Sequence, residues 1–249
     1  MILSKAKLKY YCSLKNKKFS DEESKFLIEG LHLVEECLKS DFKVECIIAE
    51  QEKENEFQIS SNITKLLASD SDLKKLSETK TPQGIFAVVH KKKSSSSINS
   101  HLIVCLDRIN DPGNLGTIIR ACHWYGVDEL LISSGSVDVY NQKVIRASQG
   151  SIFHVNFFED VHLKSKLREL KDSGYEILLT MPDSDSSQRN ISPDKKIVVV
   201  FGNEANGISP DLVKEPYQKI SIERFSNCES LNAAMSCAIV LDQLKTNRL

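Results

Sequence analysis

The sequence predicts an α/β protein whose C-terminal part is a largely parallel sheet covered by helices on both faces, preceded by a smaller α/β unit. Two observations carry this. Beyond about residue 98, short strands that are apolar throughout alternate with helical stretches, the pattern of a parallel sheet buried on both sides. Just before it, Lys91-Lys92-Lys93-Ser94-Ser95-Ser96-Ser97 contains no apolar residue and reads as a linker, dividing the chain into residues 1–97 and 98–249. A length of 249 residues exceeds the usual single domain, in keeping with two unequal ones.

In the first part, residues 3–14 have helical apolar spacing, and Phe26-Leu27-Ile28 is a strand leading through Glu29-Gly30 into a helix over 31–38. Residues 44–49 and 84–89 read as further strands. In the second part, strands are expected over 102–106, 129–132, 153–157, 175–180, 197–201 and 219–222. The helices between and after them are expected over 115–125, 142–147, 161–170 and 231–244. No internal repeat is present.

Composition narrows the class. Hydrophobic residues make up 41% and charged residues 27%, and 10 Gly and 6 Pro are too few for a collagen-like or disordered chain. No apolar run approaches the roughly 18 residues of a membrane helix, and the lysine-rich start lacks the apolar core of a secretory signal, so no membrane partner and a cytoplasmic location are expected. The 7 cysteines form an odd set without a CxxC pair or a zinc-spaced His/Cys cluster, so reduced thiols and no metal are expected. Net charge is −1, but unevenly spread: residues 1–100 hold 17 Lys against 15 Asp/Glu, and residues 101–249 hold 16 Lys/Arg against 19. Lys5, Lys7, Lys9, Lys15, Lys17 and Lys18 all precede the first acid, Asp21, and form a segment suited to phosphates or simply to solvent.

An open sheet of this kind puts its ligand beside the carboxyl ends of its strands, so the segments that follow the strands matter most. After the first comes Asn110-Asp111-Pro112-Gly113-Asn114-Leu115-Gly116, a turn with Asn114 as the expected N-cap and Arg120 nearly two turns along the helix. After residues 197–201 comes Gly202-Asn203-Glu204-Ala205-Asn206-Gly207-Ile208-Ser209, whose glycines admit close backbone approach and whose Glu204 accepts from hydroxyl or amino groups. It is not a phosphate-gripping loop, which needs Lys and Ser/Thr after the last Gly. After the final strand comes Asn227-Cys228-Glu229-Ser230-Leu231-Asn232-Ala233-Ala234, with Ser230 the expected N-cap of a tightly packed helix. Taken singly, each reads equally as an ordinary strand-to-helix connection. No GxGxxG follows any strand, which excludes the usual dinucleotide loop.

Together and in this order, the three segments resemble the signature motifs of the SpoU (TrmH-like) family of RNA 2'-O-ribose methyltransferases, within the SPOUT superfamily. Lys143-Val144-Ile145-Arg146-Ala147-Ser148-Gln149-Gly150 is similar to the family's stretch between the first two motifs. Phe26-Leu27-Ile28-Glu29-Gly30 and Thr81-Pro82-Gln83-Gly84-Ile85 are similar to its ribosomal-protein-like RNA-binding domain, so the likeness spans nearly the whole chain. It implies a C-terminal trefoil knot, an exception to the rule against threaded chains, a homodimer, S-adenosylmethionine as cofactor, and structured RNA, ribosomal rather than transfer, as substrate. The family's catalytic set maps onto Arg120, Asn114, Glu204, Ser230 and Asn232, and its cofactor contacts onto Thr180, Gly202, Asn203, Ile222 and Leu231. Where many relatives have Ile-Pro-Met followed shortly by Gly, this chain reads Ile222-Glu223-Arg224-Phe225, a more polar edge to the cofactor loop. Although arginine is often assigned as the family's base, a guanidinium is a poor one. Arg120 is therefore expected to grip a phosphate and steady the developing alkoxide, with Asn114 and Glu204 positioning it. The rival readings are an RNA-binding or ribosome-assembly factor that keeps the fold without the chemistry, and a small-molecule nucleotide enzyme.

Overall fold

The computed structural model describes residues 1–50, 63–92, 97–183 and 195–246. Its contacts divide the chain into two compact units, Met1–Lys93 with Tyr140–Phe153, and Ser94–Val139 with His154–Leu249. Of the expected linker over 91–97, residues 93–96 lie outside the described residues.

The first unit runs α1 (Lys5–Ser13), α2 (Lys17–Glu23), β1 (Lys25–Glu29), α3 (Leu31–Lys39), β2 (Val44–Glu50), β3 (Thr64–Ala68), α4 (Asp70–Leu76) and β4 (Ile85–His90). Its sheet has the order β1-β4-β2-β3, antiparallel except for the parallel pair β2 and β3. Ser4 caps α1 by accepting the Lys7 N–H, which turns Leu8 and Tyr11 into the core. Lys5, Lys7, Lys9, Lys17 and Lys18 are exposed. Lys15 is used internally, its ammonium donating to the carbonyls of Lys75 at 2.7 Å and Ser77 at 3.0 Å.

Residues 140–153 belong to this unit although they lie between strands of the other in sequence. Their helix α6 (Gln142–Ser148) follows Tyr140, whose ring lies 4.6 Å from that of Phe26, and a 3₁₀ turn at Ser151–Phe153 sets Phe153 edge-on to Phe42 at 5.4 Å. The strand expected over 153–157 accordingly begins later, at Asn156. A fragment starting at residue 98 would strip Tyr140 and Phe153 of these ring partners, so substitutions dissect the two units more cleanly than truncation does.

The second unit contains β5 (Leu102–Asp107), α5 (Pro112–Trp124), β6 (Glu129–Ser133), β7 (Asn156–Val161), α7 (Leu163–Asp172), β8 (Tyr175–Thr180), β9 (Lys196–Gly202), α8 (Pro210–Val213), β10 (Gln218–Ile220) and α9 (Ala233–Thr246). All five neighbouring pairs in its sheet, ordered β10-β8-β9-β5-β6-β7, are parallel. Each residue of β5 is buried, as expected of a central strand covered on both faces. One face packs Ile103, Cys105, Val198 and Val200 against Leu163, Leu167 and Leu170 of α7.

Helices α5 and α9 pack against each other and run in the same direction. Asn114 meets Asn232 near their N-termini, and Tyr125 Oη donates to Asp242 Oδ1 at 3.3 Å near their C-termini. Because β10 lies at the sheet edge beyond β8 while α9 contacts α5 and β9, the chain after β10 crosses back over the sheet. That return path is the one along which the expected threading would occur.

Candidate active site

The carboxyl ends of β5 and β9 are locked together by polar contacts. Asp107 is 2% exposed, and its carboxylate accepts the Ser209 N–H at 2.6 Å and Arg108 Nε at 3.2 Å. Arg108 adopts a left-handed backbone, φ 58°, which costs a side-chain-bearing residue about 1 kcal/mol or more. Its neighbours hold it there: the Arg108 N–H donates to Ser133 Oγ at 2.7 Å, and its carbonyl accepts from Asn203 Nδ2 at 2.7 Å. Asn203 Oδ1 accepts the N–H groups of both Ala205 and Asn206 at 3.0 Å, an asparagine-centred turn. Backbone bonds in both directions between Asn203 and Gly207 close the loop. A Cβ on Gly202 would lie 2.3 Å from the Gly207 carbonyl carbon and 2.4 Å from the Ile208 nitrogen. Glycine is therefore required there by the loop's own fold.

A hydrogen-bonded chain joins the three segments. Asn232 Nδ2 donates to Asn114 Oδ1 at 2.8 Å, and Asn114 Nδ2 donates to Glu204 Oε1 at 2.7 Å. Both expected caps are corrected here. Asp111 caps α5, accepting the Asn114 N–H at 2.7 Å with Pro112 in the first turn. At α9, Asn232 Oδ1 accepts the N–H groups of Ala234 at 2.9 Å and Met235 at 3.3 Å, and its carbonyl accepts that of Ser236. Asn114 is thereby free to reach Glu204, while Ser230 stands two residues upstream of the helix, its carbonyl accepting Cys228 Sγ at 3.4 Å.

Beside this chain opens a cavity of about 660 Å³, within the range of small-molecule sites. Its walls are the segment after β8 (Thr180, Met181, Pro182), the loop from Gly202 to Ile208, the stretch from Ile220 to Leu231, and Ala233, Ser236 and Val240 of α9. Thr180, Gly202, Asn203, Ile222 and Leu231 all line it, as do Glu204 and Ser230. Asn114 and Asn232 reach it through their hydrogen bonds to Glu204. Arg120 does not line it, standing on the exposed side of α5. Thr180 Oγ1 donates to the Val200 carbonyl at 2.8 Å, so its hydroxyl is spent within the sheet.

Sequence reasoning missed Asp107, Ser133 and Asp183. Asp107 closes a strand beside the first motif, a signal that was legible; the others act only through distant partners. Asp183 accepts from Arg224 Nη2 at 2.9 Å while Arg224 Nη1 donates to the Cys228 carbonyl at 3.2 Å. The polar departure from the family pattern thus staples two cavity walls. Deeper down, burial first and a hydrogen bond with Cys237 second push the Cys122 thiol up, so it stays protonated at neutral pH. Among the described residues no His/Cys/Asp/Glu group could hold a metal, and no helix is long and apolar enough to cross a membrane.

Known proteins were compared with this geometry. The SpoU rRNA Methylase family model matches residues 101–242, and that of an MRM3-like substrate binding domain matches residues 5–87. The 23S rRNA (guanosine(2553)-2'-O)-methyltransferase RlmP of Bacillus subtilis is 31% identical over 239 residues, 96% of each chain. An AdoMet-bound rRNA methyltransferase from Sinorhizobium meliloti superposes with a TM-score of 0.86 at 25% identity, covering 100% of this chain and 98% of that one. The SpoU methyltransferase AviRb of Streptomyces viridochromogenes, in complex with AdoMet, shares the fold at a TM-score of 0.85 and 20% identity, with 98% of each chain covered. With the family model spanning its catalytic unit and a relative this similar along nearly its whole length, the chain belongs to the SpoU rRNA methylase family.

Proposed function

We propose that this S-adenosylmethionine-dependent RNA 2'-O-methyltransferase acts on 23S ribosomal RNA, at the ribose of a guanosine, in the cytoplasm. The hydrogen-bonded chain Asn232–Asn114–Glu204 at the cavity mouth carries the catalytic part of the reading. The choice of RNA rests on the likeness to RlmP along 96% of the chain.

The cavity residues fit the cofactor: backbone-rich loops at Gly202, Asn203, Ile222 and Leu231 offer polar groups, and Ile208, Ile220 and Val240 offer an apolar wall. S-adenosylmethionine, when bound, supplies an electrophilic methyl carbon. The protein's part is then to hold the 2'-hydroxyl in line with it and to stabilise the oxygen as its proton leaves. Glu204, fixed by Asn114, orients the ribose. Ser230 borders the cavity, and Asn232 sets where α9 starts. Arg120 supplies positive charge to the adjacent phosphate and the developing alkoxide.

Because Arg120 does not line the cavity of its own chain, a homodimer is part of the proposal: a second copy delivers its arginine to the mouth. Trp124, 83% exposed on α5, and Met235, 59% exposed on α9, give that pair of helices the apolar surface a twofold interface needs. The exposed lysines of α1 and α2 carry phosphates of structured RNA.

Incubation with tritiated S-adenosylmethionine and unmodified transcripts of 23S RNA, 16S RNA or transfer RNA is expected to label 23S RNA alone, at one 2'-O-methylguanosine. Label in transfer RNA instead would sink the substrate assignment, and no label in any RNA would favour an assembly factor. Asn114→Ala should lower kcat about 10- to 100-fold, the scale of a lost hydrogen bond to a charged group. Cofactor affinity should stay within about threefold, since Asn114 lies off the cavity wall; an equal loss of cofactor affinity would contradict the positioning role.

A further inference from the structure

We infer that Phe225 is a stacking platform for a nucleobase of the bound RNA beside the methylated ribose; this rests on the reading above. Phe225 is 88% exposed, more than any other large hydrophobic among the described residues, and it also lines the cavity. A phenyl ring left in water at the rim of a ligand site marks a contact surface.

The ring is presented by a built loop. Arg224 Nη1 donates to the Cys228 carbonyl at 3.2 Å, closing residues 224–228 into a turn, and Nη2 anchors that turn to Asp183 at 2.9 Å. The Cys228 N–H donates to Ser226 Oγ at 3.5 Å inside it. Phe225 stands on the crest while the base of the turn is tied to the opposite wall.

The ligand follows from chemistry. A ribose hydroxyl can enter the cavity mouth only if its nucleotide leaves the surrounding helix or comes from a loop, which leaves bases without stacking partners. Aromatic side chains replace that stacking, with little regard for base identity because every base has a π-face. The guanidinium beside the ring adds a donor suited to an anionic backbone.

The test uses full-length protein and its Phe225→Ala and Phe225→Trp variants. RNA affinity is measured with the unmodified 23S transcript, cofactor affinity by calorimetry, and oligomeric state by sedimentation. Phe225→Ala is expected to weaken RNA binding about tenfold, the scale of one lost base stack. Phe225→Trp should bind within about threefold of the parent, with cofactor affinity and oligomeric state unchanged in both. RNA affinity within twofold of the parent for Phe225→Ala would overturn the proposal. So would an equal fall in cofactor affinity, which would place the ring on the cofactor, or dissociation of the oligomer, which would place it in a subunit interface. Methyl transfer by the parent protein is the control: if it fails, the underlying reading falls, and if it succeeds while Phe225→Ala binds normally, only the stacking role does.

Discussion

Arg120→Ala is expected to lower the rate of methyl transfer to RNA by about 100-fold or more while leaving cofactor affinity within twofold. The magnitude is that of losing one preorganised charge aimed at an oxygen that becomes an anion in the transition state. The selectivity follows from placement: Arg120 projects from the exposed side of α5 and borders none of the cavity. Arg120→Lys keeps the charge but not the planar fork that grips a phosphate through two bonds, and should fall between. Mixing separates the dimer model from a single-chain one. If the arginine serves the neighbouring copy, a dimer pairing an Arg120→Ala chain with a Glu204→Ala chain has one intact site, so random re-pairing restores about a quarter of full activity. No restoration would place the arginine in its own chain's site, and near-normal turnover by Arg120→Ala alone would remove it from catalysis.

Much of this site was legible in the sequence because its determinants are local. Proline and glycine at 112–113, the glycines at 202 and 207, and small residues from Ala233 onward mark turns and a close-packed helix whatever surrounds them. The caps show where local reasoning stops. Asp111 and Asn114 are both good caps, as are Ser230 and Asn232, and propensity does not decide between residues two or three apart. The decision is made across the fold: Asn114 is drawn to Glu204, 90 residues away, leaving Asp111 to cap α5. The same holds for β3, whose Thr64–Ala68 lacks a clear alternation and forms by pairing with buried β2. It holds for residues 140–153 too, whose place depends on the rings of Phe26 and Phe42. Residues that act through a distant partner, as Arg224 does through Asp183, carry no local mark.

Gly202→Ala should act on the whole cavity. The added methyl would sit 2.3 Å from one backbone atom and 2.4 Å from another, and neither belongs to a flexible side chain that could swing away. The loop must therefore retreat, breaking the paired bonds between Asn203 and Gly207 and loosening the Asn203 contact to the Arg108 carbonyl. Overpacking of this kind costs about 1–3 kcal/mol, which lowers Tm by roughly 2–12 °C in a chain of this size. Cofactor affinity should fall more steeply, about 100-fold, because each 1.4 kcal/mol of lost preorganisation is a factor of ten. Gly207→Ala supplies the contrast. Gly207 has a left-handed φ of +65° but nothing within 4 Å of an added Cβ, so that substitution bears only a conformational cost of about 1 kcal/mol. If the steric account is right, Gly202→Ala is the more damaging despite its ordinary backbone angle, in both calorimetric titration of cofactor and thermal melting. If instead the two glycines matter for their conformational freedom, Gly207→Ala is the worse variant, and the close approach of strand end and loop is not what shapes the pocket.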